Sequence, residues 1–151
     1  MANTQAMCTS FKGDLLTGTH NFGTGVVRAS TAADTFKAAL YLATATINAS
    51  TTAYTATGEV SGTGYTAGGV TVTFGTAPST SGTTAFVTPS ASITYSSVTL
   101  STAFDCVLIY NSTQSNKAVS VHTFGSQTVT AGTFTLTMPV NDASTGLIRL
   151  A

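Results

Sequence analysis

Residues 59–74 read EVSGTGYTAGGVTVTF, and the fold class turns on whether the four glycines cradle a phosphate or turn a corner between strands. A dinucleotide loop requires G-x-G-x-x-G between a strand and a helix, so that the helix N-terminus meets the pyrophosphate. Gly62, Gly64 and Gly68 instead give G-x-G-x-x-x-G, and Val70–Phe74 follows, alternating apolar residues with threonine in the manner of a half-buried strand. A P-loop fails as well, because no Lys-Ser or Lys-Thr follows the glycines. What remains is a structural corner. Gly62, Gly64 and the Gly68-Gly69 pair turn the chain through conformations that glycine adopts cheaply, and Tyr65 packs its ring against a neighbouring strand.

Working outward, the same alternation returns at Phe134, Leu136 and Met138, separated by Thr135 and Thr137. Around Ile93, Tyr95, Val98 and Leu100 it changes phase at Ser96-Ser97, which predicts a bulge or a bend. Cys106–Tyr110, CVLIY, is continuously apolar and reads as a central strand covered on both faces. NSTQSNK, residues 111–117, has the composition of a turn joining it to AVSVHTF, and NDASTG plays the same part before the last strand, LIRL. Residues 35–47 fit a strand better than a helix because Phe36, Ala38, Leu40 and Leu42 alternate. Residues 4–16 are the best helix candidate, with Met7, Phe11 and Leu15 on a single face. Residues 75–92 read as a long exposed connection or a short strand flanked by loops.

Short strands about ten residues apart with turn signals between them predict an all-β fold, a single-domain sandwich or jelly-roll-like barrel with a short N-terminal helix. The expected organisation is a helix, arm and loop over residues 1–25 and a β core over 26–151. The length of 151 residues suits one core. Hydrophobic residues make up 42% and charged residues only 7% of the chain, against a usual charged share of about a quarter, so the polar surface is mainly Thr, Ser and Gly.

Five basic and five acidic residues leave no clustered positive face, which argues against nucleic-acid binding. The N-terminus lacks a basic stretch followed by an apolar run, and no run approaches the length of a membrane span. Cytoplasmic synthesis, solubility and no membrane association are therefore expected. In that setting Cys8 and Cys106, without C-x-x-C spacing, are expected to be buried reduced thiols.

Materials for catalysis are scarce. His122 faces away from Val119 and Val121 and reads as a surface or hydrogen-bonded structural histidine, while His20 sits in a glycine loop with no second ligand at metal-like spacing. Asp34 and Asp105 lie just before strands, where carboxylates bond turn amides. No G-x-S-x-G elbow supports a hydrolase. Glu59, beside the glycine corner, is the acid of most interest, with a structural role favoured. Neither enzymatic activity, a cofactor nor a metal is expected.

EVSGTGYTAGG with its Thr-rich strand resembles a family of small virion proteins of tailed bacteriophages. Further points of similarity are Ser10-Phe11-Lys12, the DTFKAALY stretch at 34–41, VLIY at 107–110, Phe124-Gly125 and the closing strand from Gly132 to Leu136. The resemblance implies a β-structured virion component made in the host cytoplasm. A capsid decoration or cement protein bound to the major capsid protein or other virion proteins is the first expectation, and a tail, fibre or adaptor component used in host attachment is the second. Homo-oligomerisation is expected from the charge-poor strands themselves, because 70–74, 93–100 and 128–138 lack the charges that usually guard open edges.

Overall fold

Most of the fold is one long β-hairpin and the elements that cover it. The computed structural model describes residues 3–16, 18–20, 22–23 and 33–151; the expected boundary between arm and core at 25/26 lies outside them. The described chain is almost entirely β, in two antiparallel sheets with one short helix. In chain order the elements are β1 (Ala6–Met7), α1 (Thr9–Leu16), β2 (Phe36–Leu42), β3 (Val70–Val72), β4 (Ser79–Ser81), β5 (Thr84–Val87), β6 (Ile93–Asn111), β7 (Lys117–Leu136) and β8 (Ile148–Leu150). The larger sheet has the order β1-β7-β6-β2-β3, and the smaller has β4-β5-β8.

The continuously apolar Cys106–Tyr110 lies in β6, the middle strand of five, with every residue from Cys106 to Tyr110 buried. Both faces are covered, so alternation would have left polar groups without water. β2 is its neighbour, and Ala38, Ala39 and Leu40 are fully buried there.

Two stretches expected as separate strands, 93–100 and 106–110, are one 19-residue strand, and AVSVHTF continues through the closing Thr-rich stretch as the 20-residue β7. The phase change at Ser96-Ser97 is a bulge: Ser97 has φ 54° and the β6–β7 register slips between Tyr95 and Val98. Further slips fall between Leu100 and Phe104 and between Phe104 and Cys106. There the ribbon folds over itself. The rings of Phe104, Phe124 and Phe134 meet at 5.0–6.0 Å between centroids, and the Tyr95 hydroxyl donates to the Ala38 carbonyl at 2.8 Å. The outer half of the ribbon, 93–100 with 129–136, thus lies across its inner half, and a sandwich-like core closes between them.

The N-terminal segment departs from the expected helix over 4–16. Residues 6–7 pair with Val121 and Ser120 of β7, the Cys8 N–H donates to Val119 and the Thr4 N–H to Ile47, so the helix starts only at Thr9. A short segment with a weak helical nucleus gains more backbone bonds at a sheet edge than in its own first turn. Phe11 and Leu15 still share a face, and Phe11 enters an aromatic group with His20, Phe22, Phe36 and Phe74.

Residues 75–92 hold two strands, β4 and β5, turning at Gly82 and paired onward to β8. β4 is polar and wholly exposed, which hid its pairing, whereas β5 buries Phe86 and Val87. Cys8 and Cys106 are buried free thiols, and burial pushes them up to about 11 and about 12 respectively.

Candidate functional site: a carboxylate enclosed by tyrosines

The glycine-rich stretch leaves β2's side at Glu59, which forms an isolated bridge with Tyr41, then crosses to β6, where Thr63 bridges Thr99, and returns to start β3 at Val70. Each turn brings backbone onto backbone. A Cβ at Gly62 would overlap the Thr99 carbonyl oxygen, and one at Gly64 the Ser97 carbonyl oxygen. Gly69 is the tightest position. It has φ +72°, and a Cβ would overlap the carbonyl of Ala38, in the buried strand β2. The Thr66–Gly69 turn is closed by a bond from the Gly69 N–H to the Thr66 carbonyl.

Glu59 sits at the centre of this corner. Its Oε1 accepts the Tyr65 hydroxyl at 2.7 Å and the Gly68 N–H at 2.7 Å, and its Oε2 accepts the Tyr54 hydroxyl at 2.6 Å. Tyr65 also accepts the Leu40 N–H at 3.0 Å, and Tyr110 donates to the Gly68 carbonyl at 2.8 Å. The rings stack in pairs, Tyr54 on Tyr110 at 4.9 Å and Tyr65 on Tyr95 at 5.9 Å. Tyr41 donates to the Thr55 carbonyl at 2.6 Å. All five tyrosines of the chain therefore gather around one carboxylate, and each phenol bonds either it or the backbone nearby.

The electrostatics follow from burial and from that single negative charge. Tyr54 is pushed up to about 12, and Tyr41, Tyr65, Tyr95 and Tyr110 are also raised, in each case first by desolvation. Nearby Glu59 adds to every one of these shifts by disfavouring a phenolate. The phenols are fixed as donors, and the carboxylate accepts three bonds, two from phenols and one from the Gly68 N–H. A carboxylate that accepts three donors of its own chain holds a turn in place.

Glu59 and Tyr65 are legible from the sequence as neighbours of the glycines. Tyr54, Tyr110, Tyr41 and Tyr95 come from four other places in the chain, and the only sequence signal for them is that a tyrosine in an inward strand position needs a partner for its hydroxyl.

The other titratable groups are placed apart. His20 and Asp34 both contact the fully buried Asn111, whose Nδ2 lies 3.1 Å from His20 Nδ1 and 2.8 Å from Asp34 Oδ2. The Asn111 Oδ1 accepts the N–H groups of Thr113 and Gln114, which fixes the β6–β7 turn. Asp105 accepts from the Asn3 amide and pins the N-terminal arm. Asp142 accepts the Ser144 and Thr145 N–H groups at 2.7 Å, and these bonds lower it. Among the described residues no three His, Cys, Asp or Glu side chains converge as metal ligands.

His122 is half-buried in a cleft of about 230 Å³, between the folded halves of the ribbon, lined by Ile93, Val107, Phe124, Leu136 and Met138 among others. Its Nε2 lies 2.9 Å from the Ser120 hydroxyl, and burial lowers its pKa to about 4. An unfolded histidine titrates near 6.5, so between about pH 6.5 and about 4 the unfolded chain holds a proton that the native chain refuses. Stability contributed by neutral His122 is complete above about pH 6.5 and is lost as pH falls toward about 4, by up to about 3 kcal/mol. Thermal melts of the wild type across this window should show the fall, and His122→Gln should flatten it; equal slopes in both proteins would remove His122 as the cause.

Comparisons with protein-family models, with curated proteins and with solved structures return no significant match to this chain.

Proposed function

We propose that this protein is a structural component of a bacteriophage particle, in the first instance a capsid decoration or cement protein that binds the outer capsid and its own copies. The observation that carries the reading is how the polar groups are spent. Glu59, its phenols, Asn111 and Asp142 hold the chain's own turns, whereas the outer length of β7 is threonine-rich, charge-free and, among the described residues, paired on one side only. Protein–protein contact over such a surface strips water from hydroxyls and apolar groups and leaves no ion to desolvate. The resemblance read from the motif at residues 59–69 and the strands around it is what suggests a virion as the setting.

A second reading, a tail or adaptor component that meets a host surface, draws on a shallow depression of about 440 Å³ beside the corner. Lys37, Tyr65, Thr66, Thr71, Thr94 and Ser96 line it, a set of hydroxyls around one cation suited to a polar ligand.

Quantitative mass spectrometry of purified particles separates these. A decoration protein is present at hundreds of copies, in fixed ratio to the major capsid protein; a tail component is present at a handful; absence from particles would overturn both.

A further inference from the structure

We infer that residues Gly132–Met138, the outer end of β7 and the two residues after it, form a self-pairing edge on which a second copy of this chain adds in antiparallel, twofold-symmetric fashion. The inference deepens the particle reading and rests on it for its biological setting, though not for its geometry.

Two independent features meet at this edge. The first is backbone. Among the described residues, β1 covers β7 only at Ser120 and Val121, and beyond that point β7 is bonded to β6 alone. Natural sheets usually guard such an edge with lysine, proline or an inward charge. Here the 24 residues between Lys117 and Asp142 contain no Asp, Glu, Lys or Arg, and the one proline, Pro139, comes after the stretch. The bulge at Ala131, with φ 44°, ends just before it and leaves Gly132–Met138 in regular alternation of half-buried and exposed side chains.

The second feature is the cleft. Leu136, Thr137 and Met138 form one wall of the apolar cleft that also holds Ile93, Phe124 and His122. A strand added to this edge therefore gains main-chain bonds and sets its alternate side chains at the cleft mouth, the two requirements of recognition by strand addition.

Charge and pattern select a second copy as the occupant. A twofold axis at Thr135 sets Thr133 against Thr137, Phe134 against Leu136, and Thr135 against itself. Threonines meet on the exposed face, apolar groups on the inner one, and no like charges oppose each other at this register. The chain as a whole has formal net charge zero, so copies do not repel at distance.

Sedimentation velocity of the full chain over a concentration series tests this. The wild type should show a concentration-dependent dimer, and Thr135→Lys, which places two ammonium groups opposite each other at the axis, should weaken it more than about tenfold. Thr135 is exposed, so the variant should keep the wild-type circular dichroism and melting temperature. Thr135→Cys should oxidise to a covalent dimer, whereas Ser126→Cys, also exposed but away from the axis, should not. A chain that stays monomeric at every concentration, as one whose edge waits for a strand of a different protein would, overturns the inference. A dimer indifferent to Thr135→Lys overturns it too while leaving the particle reading intact; absence of the chain from purified particles would remove that reading without touching the edge.

Discussion

Replacing Gly69 with alanine should destabilise the protein by about 4 kcal/mol or more, enough to lower Tm by over roughly 10 °C or to prevent folding. Two costs coincide there. The backbone at φ +72° disfavours any L side chain by about 1–2 kcal/mol, and the new methyl would overlap the Ala38 carbonyl oxygen. Ala38 cannot retreat, because it is fully buried in β2, and β2 is bonded to β6 on one side and β3 on the other. The same substitution at Gly82, which also has positive φ but has nothing within 4 Å of an added Cβ, should cost only about 1 kcal/mol. Thermal or urea denaturation of the pair isolates the close approach from the backbone conformation. Equal effects at the two positions would mean that Gly69 is there for its dihedral angle alone.

Glu59→Ala should be the largest side-chain effect in the corner, about 3 kcal/mol, with a fall in Tm of roughly 10 °C. The substitution removes an acceptor from three donors at once, the hydroxyls of Tyr54 and Tyr65 and the N–H of Gly68. Donors held in a part-buried site without an acceptor lose their water and receive nothing in exchange. Tyr54→Phe takes away one donor and leaves the carboxylate two others, so it should cost about 1 kcal/mol, whereas Tyr65→Phe also strips the buried Leu40 N–H of its acceptor and should cost about 2 kcal/mol. Glu59→Gln should fall between, since its amide nitrogen presents a donor where a donor already points. If Glu59→Ala melted with the wild type, the carboxylate would not be holding the corner, and a role toward an external ligand would be the better account of it.

Much of the architecture could be read from local pattern because burial imposes it locally. Val70 and Val72 alternate with Thr71 and Thr73 since one face of β3 is covered, and Cys106–Tyr110 is apolar throughout since both faces of β6 are. The continuity of β6 and β7 was not legible. Both strands run on through Ser101, Thr102, Gly125 and Ser126, where the register slips, the ribbon bends and the residues are exposed, so hydropathy falls silent although the strands continue. Polar β4 likewise gave no periodic signal. In the site, Glu59 and Tyr65 lie within the glycine-rich stretch, but Tyr41 and Tyr110 reach it only through the β2–β6 register, which pairs Lys37 with Tyr110 and Tyr41 with Cys106. A convergence set by strand register has no local signature.

The account rests on the uncharged edge of β7 being covered by protein when the molecule is at work. Amide hydrogen exchange over residues 132–138 measures that directly, comparing the dilute isolated chain with the chain in purified particles. The account predicts fast exchange in isolation and strong protection in the particle, with the amides around Glu59 protected in both; equally fast exchange of residues 132–138 in both states would contradict it.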